Sequence, residues 1–316
     1  MTLLGSDPDR PTLLALRAIK LGDLLVAVPA LHALRREFPE HRIVLATTGW
    51  LEPIVGLVGA VDEVLPTPGL SQPLRVEPGV VDVAVNLHGR GPESGGLLAA
   101  IEPRRLIAHR PDDADGPEWV DGVLERYRWT RLLVEHGIPA DPEEVGIDVP
   151  AIPPRVRGAT VVHVGAFYGA RHWPADRFAE VASRLRAAGH RLVLTGGDVE
   201  RERAMDIATR AGLDPDDVLA GRLDLVEFAA VVAAARLVVT VDTGAAHLAS
   251  AYGIPSVVIF GPAPPEEWGP PESGPHIVLT DASVRRGDVF SAEPDPALLA
   301  VTVDDVIAAV ETLPVR

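Results

Sequence analysis

The strongest constraint on this chain is a repeated alternation. A short run of branched apolar residues is followed by a stretch with helical spacing, then by another apolar run. "TLLAL" (12–16), "RIVLAT" (42–47), "VVDVAVNLHG" (80–89), "ATVVHVG" (159–165), "RLVLTGG" (191–197), "RLVVTV" (236–241) and "PSVVIFG" (255–261) read as strands. They are apolar nearly throughout rather than at every second position. Such strands are buried on both faces, which implies parallel sheets with helices above and below. Helices are expected over 24–38 and 118–136, and from Asp198 to Gly212. Another has Pro174 at its first position, Gly189 just past its end, and Phe178, Val181, Ala182 and Leu185 on its apolar face. "DLVE" (224–227) has capping-box spacing before a further helix.

The fold class is therefore α/β, and 316 residues suffice for two doubly wound domains. Residues 139–158 hold Pro139, Pro142, Pro150, Pro153 and Pro154 and no period, so they read as a linker. The expected domains are 1–154 and 155–316. The net charge is −16 with no basic block, which argues against a general nucleic-acid binder. An anionic ligand would have to be held by local groups against that field. The chain has no cysteine, hence no disulfide framework or thiolate chemistry. Its start has no signal-peptide pattern, and no apolar run approaches the roughly 20 residues of a membrane span. A soluble cytoplasmic protein is expected. Lys20 is the one lysine among 29 basic residues.

In doubly wound sheets ligands bind off the carboxyl ends of strands, where helix N-termini point. Asp242, Thr243 and Gly244 end one strand and open a helix, with His247 one turn in. Unpaired first-turn N–H groups, the helix dipole and a glycine that admits close approach suit a phosphate. A helix cap with a packed histidine is the equally ready alternative. "HVGAFYGARHWP" (163–174) brings Arg171 and His172 to a second strand end, and Arg can pair bidentately with a diphosphate. "GGDVERER" (196–203) offers Glu200 or Glu202 to ribose hydroxyls, or simply an acidic first turn. In the N-terminal half, "AIKLGDLL" (18–25) supplies Lys20, a tight turn at Gly22, and Asp23 at a helix start, where it could also be an N-cap. His88 and Arg90 stand at another strand end. Asp113 and Asp115 form a D-x-D in a loop rather than at a strand end, so no metal site is expected. No dinucleotide fingerprint, Walker A, H-E-x-x-H or G-x-S-x-G is found.

Three segments, "LGDLLVAVPALHALRREFP", "RHWP" and "DTGAAHLASAYGIPSVVIFGPAPPEEWGPP" (242–271), resemble glycosyltransferase family 9, the ADP-heptose:lipopolysaccharide heptosyltransferases. The resemblance implies a GT-B fold: two Rossmann-like domains facing a cleft, the donor in the C-terminal one, with the last helix packing back on the N-terminal domain. It implies inverting, metal-independent transfer from an NDP-sugar, probably ADP-linked, to a glycan, lipid-linked or small-molecule acceptor, with no cofactor. Peripheral contact with a membrane is compatible with it. Carried over by position, Asp23 is the general base. Arg171, Asp242, Thr243, Gly244 and His247 meet the donor's diphosphate region, and Glu200 meets the ribose. Lys20, Gly22, His88 and Arg90 fall on the acceptor side. Arg171 stands where these enzymes usually have Lys. Two other readings are an NDP-sugar 2-epimerase of the same architecture and a non-catalytic nucleotide-sugar binder.

Overall fold

A computed structural model describes residues 3–7, 9–110 and 116–314. The chain divides into two units, 1–148 and 149–316. The division falls six residues before the expected boundary, because the extended segment from Val149 belongs with the second unit.

The N-terminal unit runs β1 (Thr12–Leu16), α1 (Leu21–Leu25), α2 (Val28–Glu37), β2 (Arg42–Thr47), α3 (Glu52–Val58), β3 (Glu63–Pro66), β4 (Val81–Asn86), α4 (Pro92–Ala99), β5 (Arg105–Ile107) and α5 (Glu125–Glu135). Its sheet is five-stranded in the order β3-β2-β1-β4-β5, with every described pairing parallel. The chain winds outward from β1 to β3, then returns to the other side of β1 with β4. The strand order therefore reverses between β1 and β4. Leu13, Leu14, Leu16, Val44, Ala46 and Ala84 are fully enclosed, which accounts for the unbroken apolar runs.

The C-terminal unit runs β6 (Thr160–His163), α6 (Ala175–Ala187), β7 (Leu192–Thr195), α7 (Arg201–Ala211), α8 (Leu225–Ala233), β8 (Leu237–Val241), α9 (Gly244–Ala251), β9 (Ser256–Ile259), α10 (Pro265–Trp268), β10 (His276–Leu279), α11 (Pro296–Ala300) and α12 (Val303–Thr312). The order is β10-β9-β8-β6-β7, again parallel, and it reverses between β6 and β8. Phe178, Val181, Ala182 and Leu185 of α6 are buried in this core, as their spacing predicts.

Several boundaries differ from expectation for local reasons. The helix expected over 24–38 is two helices, α1 and α2. Pro29 cannot donate to a preceding turn, so the chain restarts there with Pro29 in the first turn of α2. The helix expected over 118–136 begins only at Glu125. Pro174 caps α6 rather than occupying its first turn. Residues 198–200 form a 3-10 turn before α7. Val306, Val310 and Leu313, on and just after the last helix, α12, join α6 in the C-terminal core. That apolar stripe needs α6 and the sheet to cover it. Asp113 and Asp115 lie outside the described residues. No helix of the described residues is long and apolar enough to cross a membrane.

Candidate functional site

Each sheet has one place where strand order reverses, and helices leave adjacent strand ends there in opposite directions. That divergence opens a crevice at the carboxyl ends of the two strands. In the C-terminal domain it lies beyond β6 and β8, where the chain places Arg171 and Asp242. The Arg171 Nε donates to Asp242 Oδ2 at 3.1 Å, with side-chain exposures of 19% and 7%. His247 brings Nε2 to 3.9 Å from Asp242 Oδ1 and sets its ring edge-on to Trp268. Asp242 is therefore the hub of a partly buried cluster. It does not cap α9.

Thr243 is the N-cap residue of α9, but its side chain makes no capping bond. Its hydroxyl instead lies 3.1 Å from that of Thr240. Among the described residues no acceptor takes the N–H of Gly244 or Ala245, the first two residues of the helix. Two aligned donors at a positive helix end, beside a guanidinium whose Nε alone is engaged, suit an anion. The alternative of a helix cap, open from the sequence, is not what these side chains do.

Arg171 reaches this position because residues 169–171 form a 3-10 turn braced by the loop before α11. Ala170 N–H donates to Ser291 O at 2.8 Å, and Asp295 N–H donates to Ala170 O at 3.0 Å. A Cβ at Gly169 would overlap the Ala292 carbonyl oxygen, so only glycine lets the two loops meet.

Glu200 folds over the ends of β6 and β7. Its Oε2 accepts Gly197 N–H at 2.7 Å, and Cβ atoms at Gly165 or Gly196 would lie within 3.3 Å of its side chain. Glu202 lies on the exposed face of α7, so of the two acids Glu200 is the one at the strand ends. His163, unnoticed in the sequence, ends β6 beside it. Its Nδ1 lies 3.0 Å from the Thr195 hydroxyl and its ring 5.2 Å from that of Phe228. Burial pushes its pKa down to about 4, so it is a neutral imidazole.

In the N-terminal domain the reversal lies beyond β1 and β4, and Asp23 and His88 flank it. Asp23 is the third residue of α1, not its N-cap. Its Oδ2 accepts the Lys20 N–H at 3.2 Å, and Lys20 occupies the cap position. Gly22 is the second residue of the same turn. Asp23 Oδ1 lies 3.4 Å from Nη2 of Arg17, a residue missed in the sequence because it closes an apolar strand. His88 Nδ1 accepts the Ala18 N–H at 3.2 Å, which leaves the ring proton on Nε2. Burial first, and the Arg17 charge second, lower its pKa to about 4 against the opposing pull of Asp23. His88 is therefore a neutral donor, poorly suited to act as a base. Asn86 shapes the loop that carries it: its Oδ1 accepts the N–H groups of His88 and Gly89, and its Nδ2 donates to Ser94. Arg90 lies exposed on the same loop. Among the described residues no group of three or more His, Asp or Glu is placed to hold a metal ion.

Residues 147–286 match the model of glycosyltransferase family 9 (heptosyltransferase). Lipopolysaccharide heptosyltransferase 1 of Pseudomonas aeruginosa is 35% identical over 151 residues, covering 46% of this chain and 42% of that one. Lipopolysaccharide heptosyltransferase 2 of Salmonella typhimurium is 30% identical over 159 residues, covering 47% and 44%. The chain thus spans under half the length of these curated relatives. Among solved structures, the family 9 glycosyl transferase of Veillonella parvula superposes with a TM-score of 0.76 at 20% identity, covering 98% of both chains. The E. coli ADP-heptose lps heptosyltransferase II gives 0.75 at 19% identity, covering 95% of this chain and 97% of that one. The resemblance read in the sequence holds. Over residues 147–286 the chain is similar in sequence to glycosyltransferase family 9 (heptosyltransferase). Its fold, two Rossmann-like α/β domains of the GT-B type, is shared along nearly the whole chain.

Proposed function

We propose that this protein is a glycosyltransferase that moves a heptose or similar sugar from an NDP-sugar to an acceptor hydroxyl, with inversion and without a metal ion. The observation that carries the reading is the cluster at the β6/β8 reversal: Arg171 tethered through Nε by Asp242, beside the open N–H groups of Gly244 and Ala245. Both donor sets point to a diphosphate. As the bond from the anomeric carbon to the diphosphate breaks, negative charge grows on the leaving oxygen. Preformed donors stabilise that charge without reorganising. Asp242 acts through Arg171, because a carboxylate in direct contact with the diphosphate would repel it.

Asp23 supplies the other half. The acceptor hydroxyl attacks the anomeric carbon from the side opposite the leaving group, and Asp23 takes its proton. His88, neutral with its proton on Nε2, offers a hydrogen bond to the acceptor beside Asp23. Glu200 accepts from the ribose hydroxyls through the oxygen that Gly197 does not use. An adenine base is the choice that the similarity to heptosyltransferases favours. The E. coli heptosyltransferase WaaC was solved with ADP.

The test is a thermal-shift panel of ADP, GDP, UDP and dTDP, followed by turnover with the sugar of the nucleotide that binds. A ligand at 100 times its dissociation constant adds about 2.7 kcal/mol to the folded state. NDP release that depends on an acceptor supports transfer. Release of NDP and an altered sugar without acceptor replaces it with the epimerase reading. Binding with no turnover leaves a nucleotide-sugar binder.

A further inference from the structure

We infer that Arg17 is a positioning residue for Asp23, fixing the base and the loop opposite it from one buried guanidinium; the inference rests on the proposed role of Asp23. Arg17 follows the last residue of β1, and its side chain is 2% exposed. Nε donates to the Asp23 carbonyl oxygen at 2.9 Å, and Nη1 donates to the Leu87 carbonyl oxygen at 2.6 Å. Nη2 lies 3.4 Å from both Asp23 Oδ1 and Glu125 Oε2. The guanidinium carbon rests 4.7 Å from the centre of the Trp129 ring. One rigid fork thus ties together the end of β4, the turn of α1 and the start of α5, around the reversal point of the sheet.

The arrangement is hard to explain as a stability device. Burying a guanidinium costs several kcal/mol, and an apolar residue of similar size often does as well or better. The charges are balanced instead. Glu125 Oε1 accepts from Arg128 Nε at 2.7 Å, and Arg128 lies 4.0 Å over Trp119. Arg17 and Arg128 thus face Asp23 and Glu125. Between Lys20 N–H on Oδ2 and Arg17 on Oδ1, both carboxylate oxygens of Asp23 have a fixed neighbour, so its orientation is set before an acceptor arrives. Arg17 also acts on the loop of His88, through Leu87 and through its charge. A lysine cannot reproduce this, because an ammonium lacks the planar fork.

The test uses Arg17→Lys, Glu125→Gln and Asp23→Asn in the full-length chain, each checked by thermal melting. Arg17→Lys is expected to lower kcat about 10–100-fold, the range for a displaced reacting group, with donor KM and NDP affinity within twofold of wild type. Combined with Asp23→Asn it should slow turnover no further than Asp23→Asn alone. An independent structural role would multiply the two losses. Amide exchange read on peptides covering residues 18–27 should rise several-fold in Arg17→Lys and Glu125→Gln, a readout that needs no activity. Unchanged exchange there, or normal kcat in Arg17→Lys while Asp23→Asn is inactive, overturns the inference. Normal turnover in Asp23→Asn instead overturns the assignment of the base.

Discussion

The Arg171–Asp242 pair separates a ligand contact from a structural one. At 3.1 Å the bare attraction is about 5 kcal/mol at an effective dielectric of about 20. Desolvation of a nearly buried carboxylate removes most of that. Breaking a fully buried pair from one side costs about 3–5 kcal/mol. Arg171 is only partly buried, so Arg171→Ala should cost about 1–2 kcal/mol, a fall of about 2–8 °C in melting temperature for a domain of this size. NDP affinity should fall as well. Losing a charged hydrogen bond costs roughly 1.5–3 kcal/mol, and the stranded Asp242 carboxylate would then repel the diphosphate. A loss of about 10–150-fold in Kd is expected by calorimetry at fixed salt. Asp242→Asn keeps an oxygen for the Arg171 Nε and removes the negative charge, so its affinity should stay within about threefold of wild type. Equal losses in the two variants would put Asp242 on the ligand itself. An Arg171→Ala protein that melts lower yet binds NDP normally would refute the diphosphate contact.

Four further outcomes are expected. Asp23→Asn should melt within about 1 kcal/mol of wild type, since the amide oxygen still accepts the Lys20 N–H, while turnover falls about 10²–10⁴-fold; near-normal turnover removes Asp23 as base. Gly169→Ala should destabilise the C-terminal domain by about 1–3 kcal/mol and weaken NDP binding by displacing Arg171, and an unshifted melt would show that the loops can part at little cost. His88, His163 and His276 are held at about 4 by burial, below the ordinary 6.5. The unfolded chain therefore binds more protons between those values. Stability is full above about pH 6.5 and falls towards pH 4, by at most about 1.4 kcal/mol per pH unit for each histidine. Urea melts of His163→Gln should lose one proton's share of that slope, and an unchanged slope would contradict the assignment. Chelator should leave turnover intact, whereas its loss with recovery on added Mg²⁺ would redraw the diphosphate site.

How much of this could be read from residues depended on where the signal was local. "RIVLAT" is β2 from end to end, because a parallel strand covered on both faces needs an unbroken apolar run, here Ile43–Ala46. β3, β5 and β10 are not legible because they are three or four residues long and partly exposed, with apolar runs of only two or three residues. The helix-start residues were found as strand-end candidates, yet their partners were not legible. Asp242 and Arg171 are 71 positions apart, and only the sheet order brings them together. Arg17, Glu125 and Arg128 were hidden for the opposite reason. Periodicity assigns charges to the water face, whereas α5 buries Glu125, Arg126 and Arg128. A helix whose charged residues point inward looks in sequence like one whose apolar face is elsewhere, which is why α5 was expected seven residues too early.

The cap of α1 has a practical consequence. Lys20 carries the one ε-amine in the whole chain, three residues from Asp23. Acylating reagents that scatter over most protein surfaces would find a single lysine side chain here. A label mapped to the peptide that carries Lys20 would then report occupancy at the β1/β4 reversal, and any molecule that protects that amine would reveal itself by slowing modification of that one peptide. The Arg-rich composition thus makes the site addressable at the bench.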